Sequence, residues 1–179
     1  ATATLGAVYS SCSPDFGVSG AVDRFGQIEP KILMACDGYF YAGKKIDRMP
    51  LVSDLVAKLP SLEATLILPY LNDAPDCRKI PNAVLFKTAL DTAKPVKGFT
   101  RIGFNDPLYI LYSSGTTGAP KCIVHGVGGT LIQHIKEHRL HGNVATGDAI
   151  FYFTTCGWMM WNWLVSALVT KAKLVLFEG

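Results

Sequence analysis

The chain has 179 residues, enough for one domain in which about 70% of the surface of the unfolded chain becomes buried. Apolar residues make up 49% of the chain and charged residues 17%, a balance typical of buried strands in an α/β fold or of a segment of a larger protein. The 17 basic and 14 acidic residues give a net charge of +3 without a long run of one sign, which argues against nucleic-acid binding.

The amino-terminal part of the chain alternates between strand and helix patterns. Residues 7–12 are predicted to form a buried strand, and apolar residues recur at helical spacing from Val18 to Ile28, before Pro30. Residues 31–35, which are apolar after Lys31, predict the next continuous buried strand. The order strand, helix, strand at this spacing is the βαβ pattern of a parallel sheet.

The same alternation continues through the middle of the chain. A second helix is predicted at about 51–59 and a strand at 64–68. Residues 69–81 are polar and contain prolines, which predicts a loop, and residues 83–86 predict another short strand. Residues 91–106 are expected to be mostly connection. The predicted fold class is therefore α/β, with a parallel, βαβ-type sheet.

The carboxyl-terminal part predicts two more helix–strand pairs. The helices are expected at about 130–141 and 158–169, and the strands at 149–153 and 174–177. The second helix is strongly apolar, but it contains Asn162 and is shorter than the roughly 18 apolar residues that a membrane span requires. We therefore expect no association with a membrane.

A loop of small hydroxyl residues and glycines separates two short apolar runs, Leu108–Leu111 and Ile123–Val124, which predict strands. The loop consists, in order, of Tyr112, Ser113, Ser114, Gly115, Thr116, Thr117, Gly118, Ala119, Pro120 and Lys121. Glycines let backbone N–H groups turn towards a phosphate, hydroxyls add neutral donors, and a lysine supplies the countercharge. It is not a Walker A loop, because Ala119 and Pro120 separate the lysine from the second glycine. A solvated hairpin loop is the alternative interpretation.

The order of residues from Ser113 to Lys121 resembles the phosphate-loop signature of the adenylate-forming enzymes. This family includes acyl-CoA synthetases, peptide-synthetase adenylation domains and beetle luciferases. The signature usually ends Pro-Lys-Gly, whereas here Cys122 takes the place of the glycine. With Ile123, Val124 and His125 following, the version is most similar to the acyl-CoA synthetases that activate acetoacetate. The resemblance extends over the whole chain, 1–179.

The resemblance implies a fold, a reaction and a set of ligands. Residues 1–179 are expected to be part of the large N-terminal AMP-binding domain of a ligase, with the small C-terminal domain and its catalytic lysine absent. The implied reaction activates acetoacetate with ATP to an acyl-AMP and transfers the acyl group to CoA, which yields acetoacetyl-CoA, AMP and pyrophosphate. Mg²⁺ is an expected cofactor, with its protein ligand outside this segment. The expected partners are these small molecules and the remainder of the parent chain.

Other functions remain open at this point. The parent enzyme could prefer acetate or propionate, as acetyl- and propionyl-CoA synthetases do. The chain could also be a nucleotide- or CoA-binding module without catalysis, or a structural remnant. The first residues, 1–4, lack an initiator methionine and the charged start of a signal peptide, and they are typical of the end of a helix. No residue of the chain is predicted to be catalytic.

The resemblance also assigns binding residues. The expected phosphate-binding residues are Ser113, Ser114, Gly115, Thr116, Thr117, Gly118 and Lys121. Acetyl-CoA synthetases carry a Gly-x-Arg-Ala-Gly-Arg stretch that contacts the CoA nucleotide, and its two arginines fall on Tyr41 and Lys44 here. Lys44 keeps a charge for the 3′-phosphate and Tyr41 keeps a stacking surface. A solvated loop is the alternative for this segment.

The start of the helix after Gly157 borders the acyl and pantetheine pocket in acyl-CoA synthetases. By this resemblance Trp158, Met159 and Met160 are expected to line a pocket for a small, slightly polar acid. Clusters of aromatic residues and methionine are also common in helix cores, which is the alternative.

Histidines and cysteines do not predict a metal site. His134 and His138 are four residues apart and share a helix face, but a zinc site needs at least three ligands and no third is evident. We expect them at the surface or at the edge of the core. The five cysteines are odd in number, widely spaced and without a C-x-x-C pair, which predicts reduced thiols in a cytosolic protein.

Overall fold

The computed structural model describes residues 1–113 and 118–177. These residues form two compact units. One comprises residues 1–13, 96–113 and 121–177, and the other comprises residues 14–95 and 118–120. Among the described residues, no helix combines the length and apolar character needed to cross a membrane.

The strands and α-helices alternate along most of the chain, as expected for an α/β protein. In chain order they are β1 (Tyr9–Ser10), α1 (Val18–Phe25), β2 (Ile32–Cys36), β3 (Gly38–Tyr41), β4 (Lys44–Asp47), α2 (Met49–Ala57), β5 (Ala64–Leu68), β6 (Ala83–Leu85), α3 (Phe86–Thr92), β7 (Pro107–Tyr112), β8 (Cys122–Gly126), α4 (Val127–Lys136), β9 (Ala149–Phe151), α5 (Met159–Ser166) and β10 (Lys173–Val175). Single turns of 3₁₀-helix cover Thr2–Leu5 and Ala167–Thr170, and a π-helical turn, Glu137–His141, extends α4.

The unit built from residues 14–95 contains a parallel sheet in the order β2–β5–β6. The central strand β5 has the predicted bounds, and its Ile67 has no exposed surface. Helix α2 packs Val52 and Leu55 into the same core. Strands β2 and β5 run parallel with α2 between them in the chain, which confirms the predicted parallel, βαβ-type sheet. The first predicted strand–helix–strand unit is different, because β1 pairs with β7 rather than with β2, so its two strands do not share a sheet.

Two elements of this unit differ from the sequence-based expectation. Helix α1 ends at Phe25, well before Pro30, because Gly26 is a poor helix former and the amides of Gln27 and Ile28 bond three residues back, to Arg24 and Phe25. Helix α3 was not predicted at all. It buries no residue, so its sequence lacks the apolar stripe by which helices are detected.

The other unit contains two small sheets. Strand β7 is central in the first, parallel to β1 and antiparallel to β8. Strands β9 and β10 form a separate parallel pair, and the residues that follow β10, Leu176 and Phe177, are exposed. Helix α5 contributes the fully buried Leu164 to the core. Strand β1 is much shorter than the predicted 7–12.

Candidate functional site

The predicted phosphate-binding loop closes the antiparallel hairpin of β7 and β8. Tyr112 pairs with Cys122 at the end of the hairpin, and the amide of Ser113 donates to the carbonyl of Lys121 at 3.0 Å. The two ends of the loop therefore lie side by side, with the Lys121 side chain exposed. Gly118 has a φ of 104°, which favours glycine. Outside the described residues are the predicted Ser114, Gly115, Thr116 and Thr117.

Strand β1 supports the hairpin from its other side. The hydroxyl of Ser10 donates to the carbonyl of Ile110 at 2.8 Å and lies 2.9 Å from the hydroxyl of Tyr112, which can donate to it in return. The ring of the buried Tyr109 stacks on that of His125, with centroids 4.9 Å apart. Burial lowers the pKa of His125, so this ring is neutral at pH 7. The strands at which the loop begins and ends are therefore held in place by β1 and by the packing of Tyr109 on His125.

The predicted CoA contacts lie opposite each other at the tip of the β3–β4 hairpin. Tyr41 pairs with Lys44, and between them Ala42 and Gly43 have φ angles of 48° and 73°. Two consecutive positive φ angles are the geometry of a tight type I′ turn. Tyr41 is 68% exposed and Lys44 is exposed, so a ring, a hydroxyl and an ammonium group are all open to a ligand.

Arg48 is a cation of this region that the sequence did not single out. Its guanidinium lies 5.4 Å from the centroid of the Tyr39 ring and donates to the carbonyls of Pro14, at 2.7 Å, and Phe16, at 3.2 Å. These contacts hold Arg48 at the base of the hairpin, whereas Lys44 is at its tip. The available signal in the sequence was its position close to the lysines at 44 and 45 and directly before Met49 and Pro50, which start α2.

A buried carboxylate lies where the hairpin leaves the parallel sheet. Asp37 follows β2 directly and has no exposed surface. Its carboxylate accepts hydrogen bonds from the amides of Tyr70, Leu71 and Asn72 and from the side-chain amide of Asn72, at 2.7–3.1 Å. Burial alone raises the pKa of a carboxyl group, but these hydrogen bonds outweigh it and hold the pKa of Asp37 below its usual 3.8. The carboxylate is therefore charged at pH 7.

The predicted acid-pocket residues lie at the start of α5. Trp158 and Met160 line an open cavity of about 270 Å³, and the residues after β9 complete its wall: Tyr152, Phe153, Thr154 and Thr155. Met159 is not part of this wall in the described chain. Trp158 is 67% exposed, so the alternative of a buried core residue does not describe it here. The four residues after β9 could have been found from their position, because ligands of parallel α/β proteins bind beyond the carboxyl ends of strands.

The residues directly before Trp158 are hydrogen-bonded to the segment that follows β1. The hydroxyl of Ser11 donates to the carbonyl of Cys156 at 2.6 Å, and the thiol of Cys156 lies 3.2 Å from the carbonyl of Cys12. A Cβ atom at Gly157 would lie 3.2 Å from the amide nitrogen of Ser13. The close approach of these two backbones explains why a glycine precedes Trp158.

The two histidines of α4 and its π-helical turn are core residues rather than surface or core-edge residues. His134 is buried, and His138 has no exposed surface. Nε2 of His138 lies 3.0 Å from the carbonyl of Trp163 and 2.9 Å from the hydroxyl of Ser166, both on α5. Burial lowers the pKa of both histidines. Within residues 1–113 and 118–177, no group of three or more potential ligands is arranged to hold a metal ion.

Comparisons with known proteins agree over the whole chain. The sequence profile of the family described as AMP-binding enzyme matches residues 1–179. The chain is 52% identical over 184 residues to the acetoacetyl-coenzyme A synthetase of Rhizobium meliloti (strain 1021), and 49% identical over 185 residues to the acetoacetyl-CoA synthetase of Gallus gallus. Each alignment covers 100% of this chain and 28% of the relative.

Two further proteins are similar to this chain over all or nearly all of its length. A malonamoyl-CoA synthetase of Penicillium aethiopicum is 44% identical over 100% of this chain and 26% of its own length. The solved structure of the acetoacetyl-CoA synthetase from Streptomyces lividans matches 99% of this chain and 27% of that protein, with a TM-score of 0.91 and 44% identity. The chain thus spans little more than a quarter of the length of the relatives it matches.

Proposed function

Because the chain belongs to the AMP-binding enzyme family, we propose that it is a segment of an acid–thiol ligase that joins acetoacetate to CoA. In this reaction the carboxylate of acetoacetate attacks the α-phosphorus of ATP and pyrophosphate leaves. The thiol of CoA then displaces AMP from the acyl-adenylate and forms acetoacetyl-CoA. The whole reaction is assigned to the longer protein, and this chain supplies part of its binding surface.

The observation that carries the proposal is the identity of about half of the residues, along the whole chain, to proteins named acetoacetyl-CoA synthetase. Each alignment covers the whole chain and therefore spans the phosphate loop, the hairpin of Tyr41 and Lys44, and the Trp158 helix. A short signature alone would support only nucleotide binding, whereas an alignment of this length supports the acid class as well.

The phosphate loop is proposed to bind the triphosphate of ATP. Ser113 and Lys121 lie at the two ends of the loop, so the hydroxyl and the ammonium group can approach the same anion from opposite sides. Charge development on the departing pyrophosphate is stabilised by such fixed donors and cations. The loop from Ser113 to Lys121 contains no carboxylate, so it does not fit as a protein ligand set for Mg²⁺. We therefore expect Mg²⁺ to be held elsewhere.

The tip of the β3–β4 hairpin is proposed to contact the nucleotide part of CoA. The exposed ring of Tyr41 can stack on a base, and the ammonium group of Lys44 can pair with the 3′-phosphate. Both groups project from the same end of a two-residue turn, which suits a ligand that presents a base and a phosphate together.

The cavity beside Trp158 is proposed to receive the acid. Acetoacetate and malonamate, the acid corresponding to the product of the Penicillium relative, are both short and carry a carbonyl group two carbons from the carboxylate. A wall that combines Trp158 and Met160 with Tyr152 and Thr154 suits such an acid, because it offers both apolar surface and hydroxyl-bearing residues. Malonamate is therefore the second candidate substrate.

A cytoplasmic location is part of the proposal. None of the five cysteines takes part in a disulfide, and all five belong to the described part of the chain. Reduced thiols are the usual state in the cytosol. A role in lipid metabolism follows from acetoacetyl-CoA as the product and is proposed with it.

The proposal is tested with the longer enzyme that contains this segment. Acid-dependent exchange of pyrophosphate into ATP, and thioester formation with CoA, are measured for acetoacetate, malonamate, acetate and propionate. We expect acetoacetate to give the highest kcat/KM. A preference for acetate or propionate would assign the enzyme to a different acid, and absence of exchange with every acid would leave a nucleotide-binding module.

A further inference from the structure

We propose that Asp37 is a positioning residue that orients the β3–β4 hairpin, and through it Tyr41 and Lys44, for CoA. This inference rests on the proposed CoA contacts of the hairpin. Asp37 itself is completely buried and cannot touch CoA. Its effect must therefore pass through the segments that its main chain and carboxylate hold.

The carboxylate of Asp37 uses its full capacity for hydrogen bonds. One oxygen accepts from the amides of Tyr70, at 2.7 Å, and Leu71, at 2.9 Å. The other accepts from the amide of Asn72, at 2.8 Å, and from its side chain, at 3.1 Å. Two oxygens of an ionised carboxylate offer about four acceptor sites, and all are occupied. The loop 70–72 is thereby fixed to a single buried charge.

That loop supports the hairpin by direct contact. The ring of Tyr70 meets the ring of Phe40, in β3, edge to face, with centroids 5.9 Å apart. Any Cβ atom at Gly38 would collide with the side chain of Leu71 and the carbonyl of Ile46, so the loop lies flush against the first residue of the hairpin. Fixing the loop therefore also limits how the hairpin can tilt.

The main chain of Asp37 joins both ends of the hairpin to the sheet. Its amide donates to the carbonyl of Leu68, at the end of β5, at 3.1 Å. Its carbonyl accepts from the amide of Arg48, just after β4, at 2.8 Å. The entry and the exit of the hairpin are thus connected at one residue, and the hairpin is otherwise a two-stranded ribbon, which is marginally stable alone.

Geometry makes the tip sensitive to this base. At about 3.4 Å per residue the tip lies roughly 12 Å from Asp37, so a tilt of about 5° at the base moves Lys44 by about 1 Å. A displacement of about 1 Å of a positioning group can reduce a rate by up to about a hundredfold. A small change at Asp37 is therefore expected to affect the step that uses CoA much more than the formation of acyl-AMP.

The test compares Asp37→Asn with three other variants in the full-length enzyme. Asp37→Asn keeps the size of the side chain but places an NH2 group against one of the two pairs of donors. Asn72→Ala removes one of the four hydrogen bonds and is the milder variant if Asp37→Asn folds poorly. Lys44→Ala reports on the CoA contact itself. Asp76→Asn, at an exposed ion pair with Arg78, is the matched control for loss of a carboxylate.

We expect Asp37→Asn to raise the KM for CoA about tenfold and to reduce the preference for CoA over 3′-dephospho-CoA, with pyrophosphate exchange changed less than about twofold. Asn72→Ala should act in the same direction and more weakly, and Asp76→Asn should match the wild type. Hydrogen exchange should rise at residues 38–47 in Asp37→Asn.

Three results would contradict the inference. In the first, Asp37→Asn leaves the KM for CoA and the hydrogen exchange at residues 38–47 unchanged, while Lys44→Ala loses the preference for CoA. This result would show that Asp37 does not position the hairpin, and it would leave the proposed CoA site intact. Equal losses in both steps, in proportion to a lower Tm, would make Asp37 a structural residue only. An undiminished preference for CoA in Lys44→Ala would overturn the proposed CoA site and this inference with it.

Discussion

Lys121 is the residue whose proposed role depends most directly on charge. It lies at the end of the loop with its side chain exposed, and its carbonyl holds Ser113. In the longer enzyme, Lys121→Ala should lower kcat/KM for ATP about tenfold, the lower end of the range for a charge-assisted contact, because an exposed lysine is partly screened by solvent. Steady-state kinetics with each substrate varied in turn measure this.

The control for that variant is Lys97→Ala, an exposed lysine in the connection before β7. It should behave as the wild type with all three substrates. An unchanged KM and kcat/KM for ATP in Lys121→Ala would remove this lysine from the triphosphate site.

Met160 is predicted to limit the length of the acid. It lines the cavity beside Trp158, so trimming it to alanine should raise the relative kcat/KM for acids one or two carbons longer than acetoacetate. Each additional methylene accommodated contributes about 1–3 kcal/mol of discrimination. If Met160 only fills space, Met160→Ala should instead destabilise the protein by about 2–5 kcal/mol without reordering the acids.

Met159→Ala is the matched control for Met160→Ala, because Met159 is its neighbour and does not line the cavity in the described chain. It should leave the ranking of acids unchanged. Kinetics across an acid series, with the Tm of each variant, distinguish the two roles of Met160.

At the scale of elements, the junction of α4 and α5 is held by a buried histidine whose protonation is unfavourable. The hydroxyl of Ser166 donates to the carbonyl of Trp163 at 2.6 Å, so Nε2 of His138 must be the donor to both groups and Nδ1 carries no proton. Nδ1 is buried and has no hydrogen-bond partner among the described residues. A proton placed there would lack an acceptor, which agrees with the lowered pKa of His138.

This junction predicts a loss of stability on mild acidification. Because the folded pKa of His138 lies below the ordinary 6.5, the unfolded chain binds the proton first. The stabilisation is fully present above pH 6.5 and declines as the pH falls below it. The free energy of unfolding, measured with urea between pH 7.5 and 5.5, should fall, and less steeply in His138→Gln.

Buried helices and strands could be predicted from the sequence more accurately than exposed ones. Strand β5 could be predicted to the residue because this central parallel strand is apolar except for Thr65, whereas α3 could not, because it buries nothing. The start of α4 was placed too late, since Gly128 lowers helix propensity. The structure gives the reason for that glycine: a Cβ atom there would collide with the ring of Phe104.

The sequence can indicate candidate site residues only where these residues lie close together in the chain. The loop from Ser113 to Lys121 and the pair Tyr41–Lys44 are local patterns, so a sequence displays them directly. Asp37 gains its role from Tyr70–Asn72, more than thirty residues away, and such a relation has no local signature. The buried position of His138 could not be predicted for the same reason, because its hydrogen-bond partners Trp163 and Ser166 lie on another helix.

At the scale of the whole molecule, the two units carry different acid-sensitive groups. His138 belongs to the unit of residues 121–177, and Asp37 to the unit of residues 14–95. The pKa of Asp37 is lowered, so its contribution to stability is fully present above about pH 3.8 and is lost as the pH falls through the folded value. The first unit should therefore weaken below pH 6.5 and the second only below pH 3.8.

The tryptophans make this difference measurable. All three, Trp158, Trp161 and Trp163, lie in the unit that contains His138. On acidification, tryptophan emission should change at a higher pH than hydrogen exchange at the amides of Tyr70–Asn72. A single transition at one pH in both measurements would contradict the separate origins of acid sensitivity.

The pairing of β9 with β10 has a practical consequence for work with this chain in isolation. Parallel strands are usually covered on both faces, yet Val175, Leu176 and Phe177 are all exposed here. An apolar strand edge of this kind is a template for pairing between molecules. Light scattering by the 179-residue chain should therefore increase with concentration more steeply than for a monomer. Val175→Lys should reduce this increase.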